Sequence, residues 1–252
     1  MANENPYLYP DAHGEAVRQH EEELWEKSFR ENVCCARAIE KALRQDESVS
    51  GHIHPGCAEQ VLEEYGHKRV SFVLAHTVRE LEGVPAVRQQ LSDETREWAR
   101  SFHVVPDAEY GRYYCVVTAT ALLNEFVEQT RQAYQALGLF NYEHCAAGMY
   151  DGNVEGKVLI LAPETLKESA WTPQNQLWLA TDGFGCDPKA GGRAIYATCL
   201  GDGEETRWNR EDFCGVLDER HLPAWAQEKL EALRAPKQEQ NAAPTMGGME
   251  MR

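Results

Sequence analysis

Apolar residues recur at three- and four-residue steps through the first half of this chain, and at alternate or consecutive positions through the second. Over residues 14–45 the stripe Trp25, Phe29, Val33, Ala36, Ile39 and Leu43 predicts one helix with a single buried face, while Glu21, Glu22, Glu26, Arg30, Arg37 and Lys41 fall mostly on the other faces. A loop at 46–56 breaks the pattern. Cys57, Val61, Leu62 and Tyr65 then line a short helix ending at Gly66, where a residue without Cβ suits a C-terminal cap. Val70, Val73, Leu74, Thr77, Val78 and Leu81 line the next. Ser92 predicts an N-cap, with Asp93 and Glu94 favourable in the first turn; that helix turns Trp98, Ala99 and Phe102 inward and stops before Pro106. Residues 113–117 read as a short strand. Residues 118–137 read as a helix with Leu122, Leu123, Phe126, Val127, Ala133, Tyr134 and Leu137 on its core face, ended by Gly138.

After Leu139 the period changes to that of strands. Residues 157–161 form an apolar, β-branched run between Gly156 and Pro163; 176–181 and 194–200 predict two further strands. Gly201-Asp202-Gly203 is a turn signal from which 206–209 pairs back as a hairpin. Pro223 suits the first position of a closing helix that runs to about residue 233. The fold class expected is α+β: an extended arm at 1–13, a helical region at 14–139, a small antiparallel sheet with a C-terminal helix at 140–235, and a disordered tail at 236–252. The connection after Gly138 has no linker-like Pro/Ser run, which leaves open whether the two parts share a core.

Composition narrows the function classes. The 252 residues include 42% hydrophobic and 26% charged residues, ordinary for a globular protein that buries a core. With 41 acidic against 25 basic residues the formal net charge is -16. Such a field repels nucleic acid and anionic membranes, so direct nucleic-acid or membrane binding is not expected. No apolar run approaches the length of a bilayer span and no secretory leader is read at the start, so the expected location is cytoplasmic. There the 8 cysteines are expected to be thiols and mostly small buried hydrophobes.

Four short constellations carry potential chemistry. His52, His54 and Cys57 put two imidazoles and a thiolate at a loop leading into a helix, a possible metal set that lacks a fourth ligand at a recognised spacing; the alternative is a solvated loop. Cys186, on the turn Gly183-Phe184-Gly185-Cys186-Asp187-Pro188, is a nucleophile candidate if His144 or His221 lies beside it, and otherwise packs beneath a hairpin connection. Lys189-Ala190-Gly191-Gly192-Arg193 offers an anion nest or a plain flexible turn. Arg207, Trp208 and Arg210 put an aromatic between guanidiniums, either as anchors for a protein partner or as a structural cation–π stack. His103, His144 and His221 read as ordinary hydrogen-bonded or exposed residues.

The stretches Asp182-Gly183-Phe184-Gly185-Cys186, Gly192-Arg193, Cys199-Leu200-Gly201-Asp202-Gly203-Glu204, Thr206-Arg207-Trp208-Asn209-Arg210-Glu211-Asp212-Phe213, Gly215-Val216-Leu217 and Leu222-Pro223-Ala224-Trp225-Ala226 form one block. It resembles the C-terminal part of a domain-of-unknown-function family carried on conjugative elements and prophages of gut Firmicutes. Asn32-Val33-Cys34-Cys35-Ala36-Arg37-Ala38-Ile39-Glu40, Arg69-Val70-Ser71-Phe72-Val73-Leu74-Ala75-His76-Thr77-Val78 and Gln135-Ala136-Leu137-Gly138-Leu139-Phe140 look like its N-terminal pattern. The resemblance spans residues 7–233, with the C-terminal block its more specific part. It departs at His76, where the pattern has asparagine.

What the resemblance implies is a cytoplasmic accessory protein of a mobile element, one that counteracts a host defence; it brings no reaction, cofactor or catalytic residue. The expected role is a non-enzymatic protein-binding module with no cofactor, using Arg193, Arg207, Trp208 and Arg210 to hold a protein partner. The alternatives are an enzyme dependent on a metal or on Cys186, and an acidic inhibitor that mimics DNA.

Overall fold

The single helix predicted over residues 14–45 is divided into two, with its apolar stripe wholly in the second. The computed structural model describes residues 7–46, 51–102 and 109–234. The predicted tail at 236–252, the first six residues of the predicted arm, and His103 lie outside the described residues. Helix α1 (His13–Gln19) ends at His20, whose φ of 60° is left-handed and returns the Glu21 N–H to the Ala16 carbonyl at 2.8 Å. This is the hydrogen-bond pattern of a helix stop, made without the usual glycine, so the sequence carries no plain stop signal there. Helix α2 (Glu22–Asp46) follows and buries Trp25, Cys35, Ala36, Ile39 and Leu43, with the polar Ser28 and Asn32 among the same buried set.

Helices α3 (Glu59–Tyr65) and α4 (His67–Glu82) meet at Gly66, which has a φ of 78°. Helices α5 (Pro85–Arg88), α6 (Asp93–Ser101) and α7 (Thr120–Ala136) complete the helical unit. The Ser92 hydroxyl accepts the Thr95 N–H at 3.1 Å, the cap expected from the sequence. From Val73 to Val78 every residue of α4 is buried, so this helix is the centre of the unit, packed by α2, α3, α6 and α7. Gly66 has no side chain to cap α4. Instead the Glu168 carboxylate, on a segment that belongs to this unit, accepts the Lys68 N–H at 2.6 Å.

The strand predicted at 113–117 is not formed. Gly111–Tyr114 is a 3-10 turn, and the backbone after it is held by side chains: Val116 N–H donates to Thr77 Oγ1 at 3.0 Å and Val117 N–H to Glu40 Oε1 at 2.9 Å. With its donors taken by helix side chains, the segment has no call for a neighbouring strand.

The second unit comprises Leu139–Leu166 and the chain from Trp171 onward. Its strands are β1 (Cys145–Ala147), β2 (Val158–Leu161), β3 (Leu177–Asp182), β4 (Ala194–Cys199), β5 (Glu205–Asn209) and β6 (Phe213–Leu217), with α8 (Pro173–Gln176) before β3 and α9 (Ala224–Arg234) at the end. They form one antiparallel sheet in the order β1-β6-β2-β3-β4-β5. Strand β2 is buried on both sides. Leu159 and Leu161 join a cluster with Trp178, Ile195 and Phe213, while Val158 and Ile160 join Leu177, Leu217, Ala226 and Leu230, the last two from α9. Burial on both faces explains why β2 reads as a continuous apolar run. Strands β1 and β6 are absent from the sequence reading. In β6 a Cβ on Gly215 would lie 2.5 Å from the Ala147 carbonyl and 2.9 Å from Cys145 Sγ, so the pairing with β1 requires the residue that weakens its strand signal.

Candidate functional site

The exposed chemistry of the sheet unit gathers where β3 ends, β4 begins and β5 ends. A 3-10 turn, Phe184–Cys186, follows β3. Gly183 has a φ of 116°, and a Cβ there would sit 2.4 Å from the Ala194 carbonyl; one on Gly185 would sit 2.4 Å from the Arg193 carbonyl. Both glycines are therefore required for β4 to cross this turn closely. Between them, Phe184 is driven outward and is 78% exposed, against the Gly192 backbone, where an added Cβ would be 2.7 Å from Phe184 Cβ.

Arg210 holds the turn from beneath. It is buried, and its guanidinium donates to the carbonyls of Gly185 at 2.7 Å, Phe184 at 3.4 Å and Asp187, while lying 5.2 Å from the ring centre of Tyr150. Tyr150 is itself 61% exposed. Tyr196 on β4, opposite Arg207 on β5, is 51% exposed. Arg193 reaches the Glu211 carboxylate at 2.6 Å, with both side chains open to solvent. Phe184 and Tyr150 are thus two exposed aromatics linked through Arg210, which bonds the Phe184 carbonyl and lies over the Tyr150 ring.

The proposed binding residues are thus separated by the structure. Arg193 and Arg207 are at the surface. Arg210 is not available to a partner, because its donors are used on backbone carbonyls. Trp208 alternates to the opposite face from Arg207 and stacks edge-on against Trp178, ring centres 5.3 Å apart; its indole N–H is buried with no hydrogen-bond partner among the described residues. The cation–π contact of Arg210 is with Tyr150, not with Trp208. Sequence reasoning missed Phe184, Tyr150 and Tyr196, although an aromatic set between two turn glycines at 183–185 was a readable signal.

Cys186 is buried 2% exposed beneath the turn, its Sγ 3.4 Å from the Asp182 carbonyl, and burial pushes its thiol up to about 11. A thiol kept protonated and covered is the reverse of an activated nucleophile. The two histidines proposed as its base pair with each other instead, ring centres 5.0 Å apart between His144 and His221. Neither Gly191 nor Gly192 has a positive φ, so the alternation needed for an anion nest is missing.

In the helical unit, the loop holding His52, His54 and Cys57 is fastened to α7. His52 Nδ1 contacts Glu125 Oε1, Ile53 N–H donates to Glu125 Oε2 at 2.9 Å, and Gln129 Nε2 donates to the His54 carbonyl at 2.8 Å. Among the described residues no group of three His, Cys, Asp or Glu side chains converges as a metal set.

The most elaborate polar arrangement of that unit is internal. Arg69, 2% exposed, donates to the Ser28 carbonyl at 3.0 Å, to Asn32 Oδ1 and to the Tyr7 carbonyl at 3.4 Å; the Ser28 hydroxyl accepts the Tyr9 N–H at 2.9 Å. A cavity of about 20 Å³ beside it, lined by Tyr9, Trp25, Asn32, Phe72 and Tyr114 among others, has room for one water and no ligand. His76 is also buried, 4.7 Å from the Tyr114 ring, and a Cβ on Gly111 would come within 2.6 Å of its Nε2. His76, where the resemblance led to the expectation of asparagine, is a core residue.

No helix among the described residues is long and apolar enough to cross a membrane, and none of the eight cysteines forms a disulfide. A family model, Protein of unknown function (DUF3849), matches residues 8–135, just over half of the chain and within the helical unit. The resemblance noted in the C-terminal block has no counterpart in that match. No curated protein and no solved structure matches the chain.

Proposed function

The chain belongs to the family Protein of unknown function (DUF3849), and from that premise we propose that it is a non-enzymatic module whose sheet unit docks a protein partner on the exposed rings of Phe184 and Tyr150. The observation that carries this reading is the exposure of Phe184 on a turn that glycine contacts and Arg210 hold rigid. Exposing a large aromatic costs solvation, and pre-ordering it reduces what a partner must organise on binding. Aromatic anchors in such positions contribute disproportionately to binding energy. Arg193 with Glu211 supplies the polar rim.

The setting we propose is the cytoplasm of a cell carrying a mobile element, with a host factor as the partner; this part rests on the resemblance alone. The binding reading is favoured over the metal- or cysteine-dependent alternatives by the burial of Cys186 and by the lack, among the described residues, of a converging metal set. A DNA-mimicking surface has little support either, because carboxylates such as Glu26 and Glu128 are paired within their helices to Arg30 and Arg131.

A photo-crosslinking amino acid placed at position 184 tests the reading in cells, with position 142 as control, since Tyr142 is also strongly exposed in the same unit. One protein captured from 184 and not from 142 is the expected result. Equal capture at both positions, or none at 184, overturns it. Phe184→Ala is expected to weaken binding of the captured protein, measured with the purified pair, about tenfold or more while changing stability by less than about 0.5 kcal/mol.

A further inference from the structure

Strand β5 is an outer strand of the sheet, neighboured only by β4. Its outward edge can be read from the ladder. Cys199 N–H donates to the Glu204 carbonyl at 2.8 Å and Arg210 N–H to the Arg193 carbonyl at 2.8 Å, so the hydrogen-bonded pairs of the hairpin are 199/204, 197/206, 195/208 and 193/210. By the same alternation Glu205, Arg207 and Asn209 turn their N–H and C=O groups away from β4. Asn209 N–H is taken by Asp212 Oδ2 at 2.7 Å, which closes the edge at that end. At Glu205 and Arg207 it stays open. Both side chains are exposed, and neither makes an ion pair or side-chain hydrogen bond among the described residues.

We infer that β5 pairs with β5 of a second copy of this chain, antiparallel about a two-fold axis at Thr206, to make one continuous sheet. The charge pattern selects both the occupant and the register. Centred on Thr206, Glu205 of each copy faces Arg207 of the other, so each facing pair exchanges its two backbone hydrogen bonds and joins opposite charges, twice over by symmetry. Thr206 faces Thr206 between them, a favourable cross-strand pair. The neighbouring register, centred on Arg207, sets guanidinium against guanidinium and is disfavoured. An open edge with this sequence is thus self-complementary in one alignment only. Phe184 and Tyr150 lie outside β5, so variants at Glu205 and Arg207 test this contact without altering those two rings, and the two proposals are tested separately.

Each copy carries a net charge of -16, which opposes association, and the measurement therefore belongs at physiological ionic strength, where the screening length is about 8 Å. Sedimentation equilibrium of the full chain over a wide concentration range is expected to give a reversible dimer. Glu205→Arg and Arg207→Glu each place like charges at both facing pairs and are expected to raise the dimer Kd about tenfold or more. An equimolar mixture of the two variants restores opposite charges at both pairs, so it is expected to form the mixed dimer. The double exchange E205R/R207E is expected to dimerise alone. Both positions are exposed, and an unchanged thermal midpoint checks that each variant is folded. A wild-type chain that stays monomeric throughout, a dimer indifferent to these charges, or a mixture no tighter than its components overturns the inference.

Discussion

Both units bury an arginine, and they use it in opposite ways. Arg69 in the helical unit is held by the backbone of Ser28 and the side chain of Asn32, both themselves buried, and it ties α4 to α2 and to the segment around Tyr7 and Tyr9. Arg210 in the sheet unit is held by carbonyls of one turn, residues 184–187, whose other side is open to water. The same guanidinium fork closes a core in one case and braces a surface in the other. Where the partners are buried, a guanidinium acts as a core cross-link; where they lie on an exposed turn, it fixes what the turn presents. The helical unit, which carries the family match, keeps its polar chemistry inside, and the sheet unit displays its own.

The sharpest way to break this contrast is to remove each arginine. Arg69→Ala is expected to lower stability by about 3 kcal/mol, because Ser28 and Asn32 are left with unsatisfied buried acceptors that water cannot easily reach. Urea denaturation measures it, and a loss below about 1 kcal/mol would mean the interior relaxes to hydrate them. Arg210→Ala is expected to cost less, about 1–2 kcal/mol, since the carbonyls of residues 184–187 can turn to solvent. Its signature should be local: faster amide exchange around the turn with the rest of the sheet little changed.

Thiol labelling sharpens the comparison by reading the units separately. Burial raises Cys35 to about 12 in the helical unit and Cys186 to about 11 in the sheet unit, while Cys34 is exposed. Cys34 is expected to react with a disulfide reagent in the native state, and Cys35 and Cys186 only through opening. Arg69→Ala should speed Cys35 selectively and Arg210→Ala should speed Cys186; the reverse assignment would undo the comparison.

The smallest effect lies at Asp218. A side-chain hydrogen bond from Arg220, then the Arg220 backbone N–H, lowers this carboxylate to about 2. A depressed folded-state value means that its contribution is present above the ordinary carboxylate range and is lost as pH falls toward 2. Asp218→Asn is therefore expected to lower stability slightly at neutral pH and hardly at all near pH 2, flattening the acid limb of the stability curve; a loss as large near pH 2 as at pH 7 would assign Asp218 a purely structural role.

Much of the architecture was legible from local pattern. Amphipathic stripes, the Ser92 cap, Gly66, and the turn at Gly201-Asp202-Gly203 depend on neighbours within a few residues, and these are the features that sequence alone determined. The α+β class followed from the change of period after Leu139. Tertiary structure decided the rest, because the deciding partners are distant in the chain. Strand β6 enters the sheet between β1 and β2, far from its sequence neighbours, and its Gly215 is explained only by the closeness of β1. Val116 and Val117 look like strand and are bound instead by Thr77 and Glu40. Arg207, Trp208 and Arg210 are adjacent in sequence but go to the surface, the core and the underside of a turn. Spacing sets which residues can share a face; only the packed backbone sets whether that face meets solvent, another strand or a ring of carbonyls.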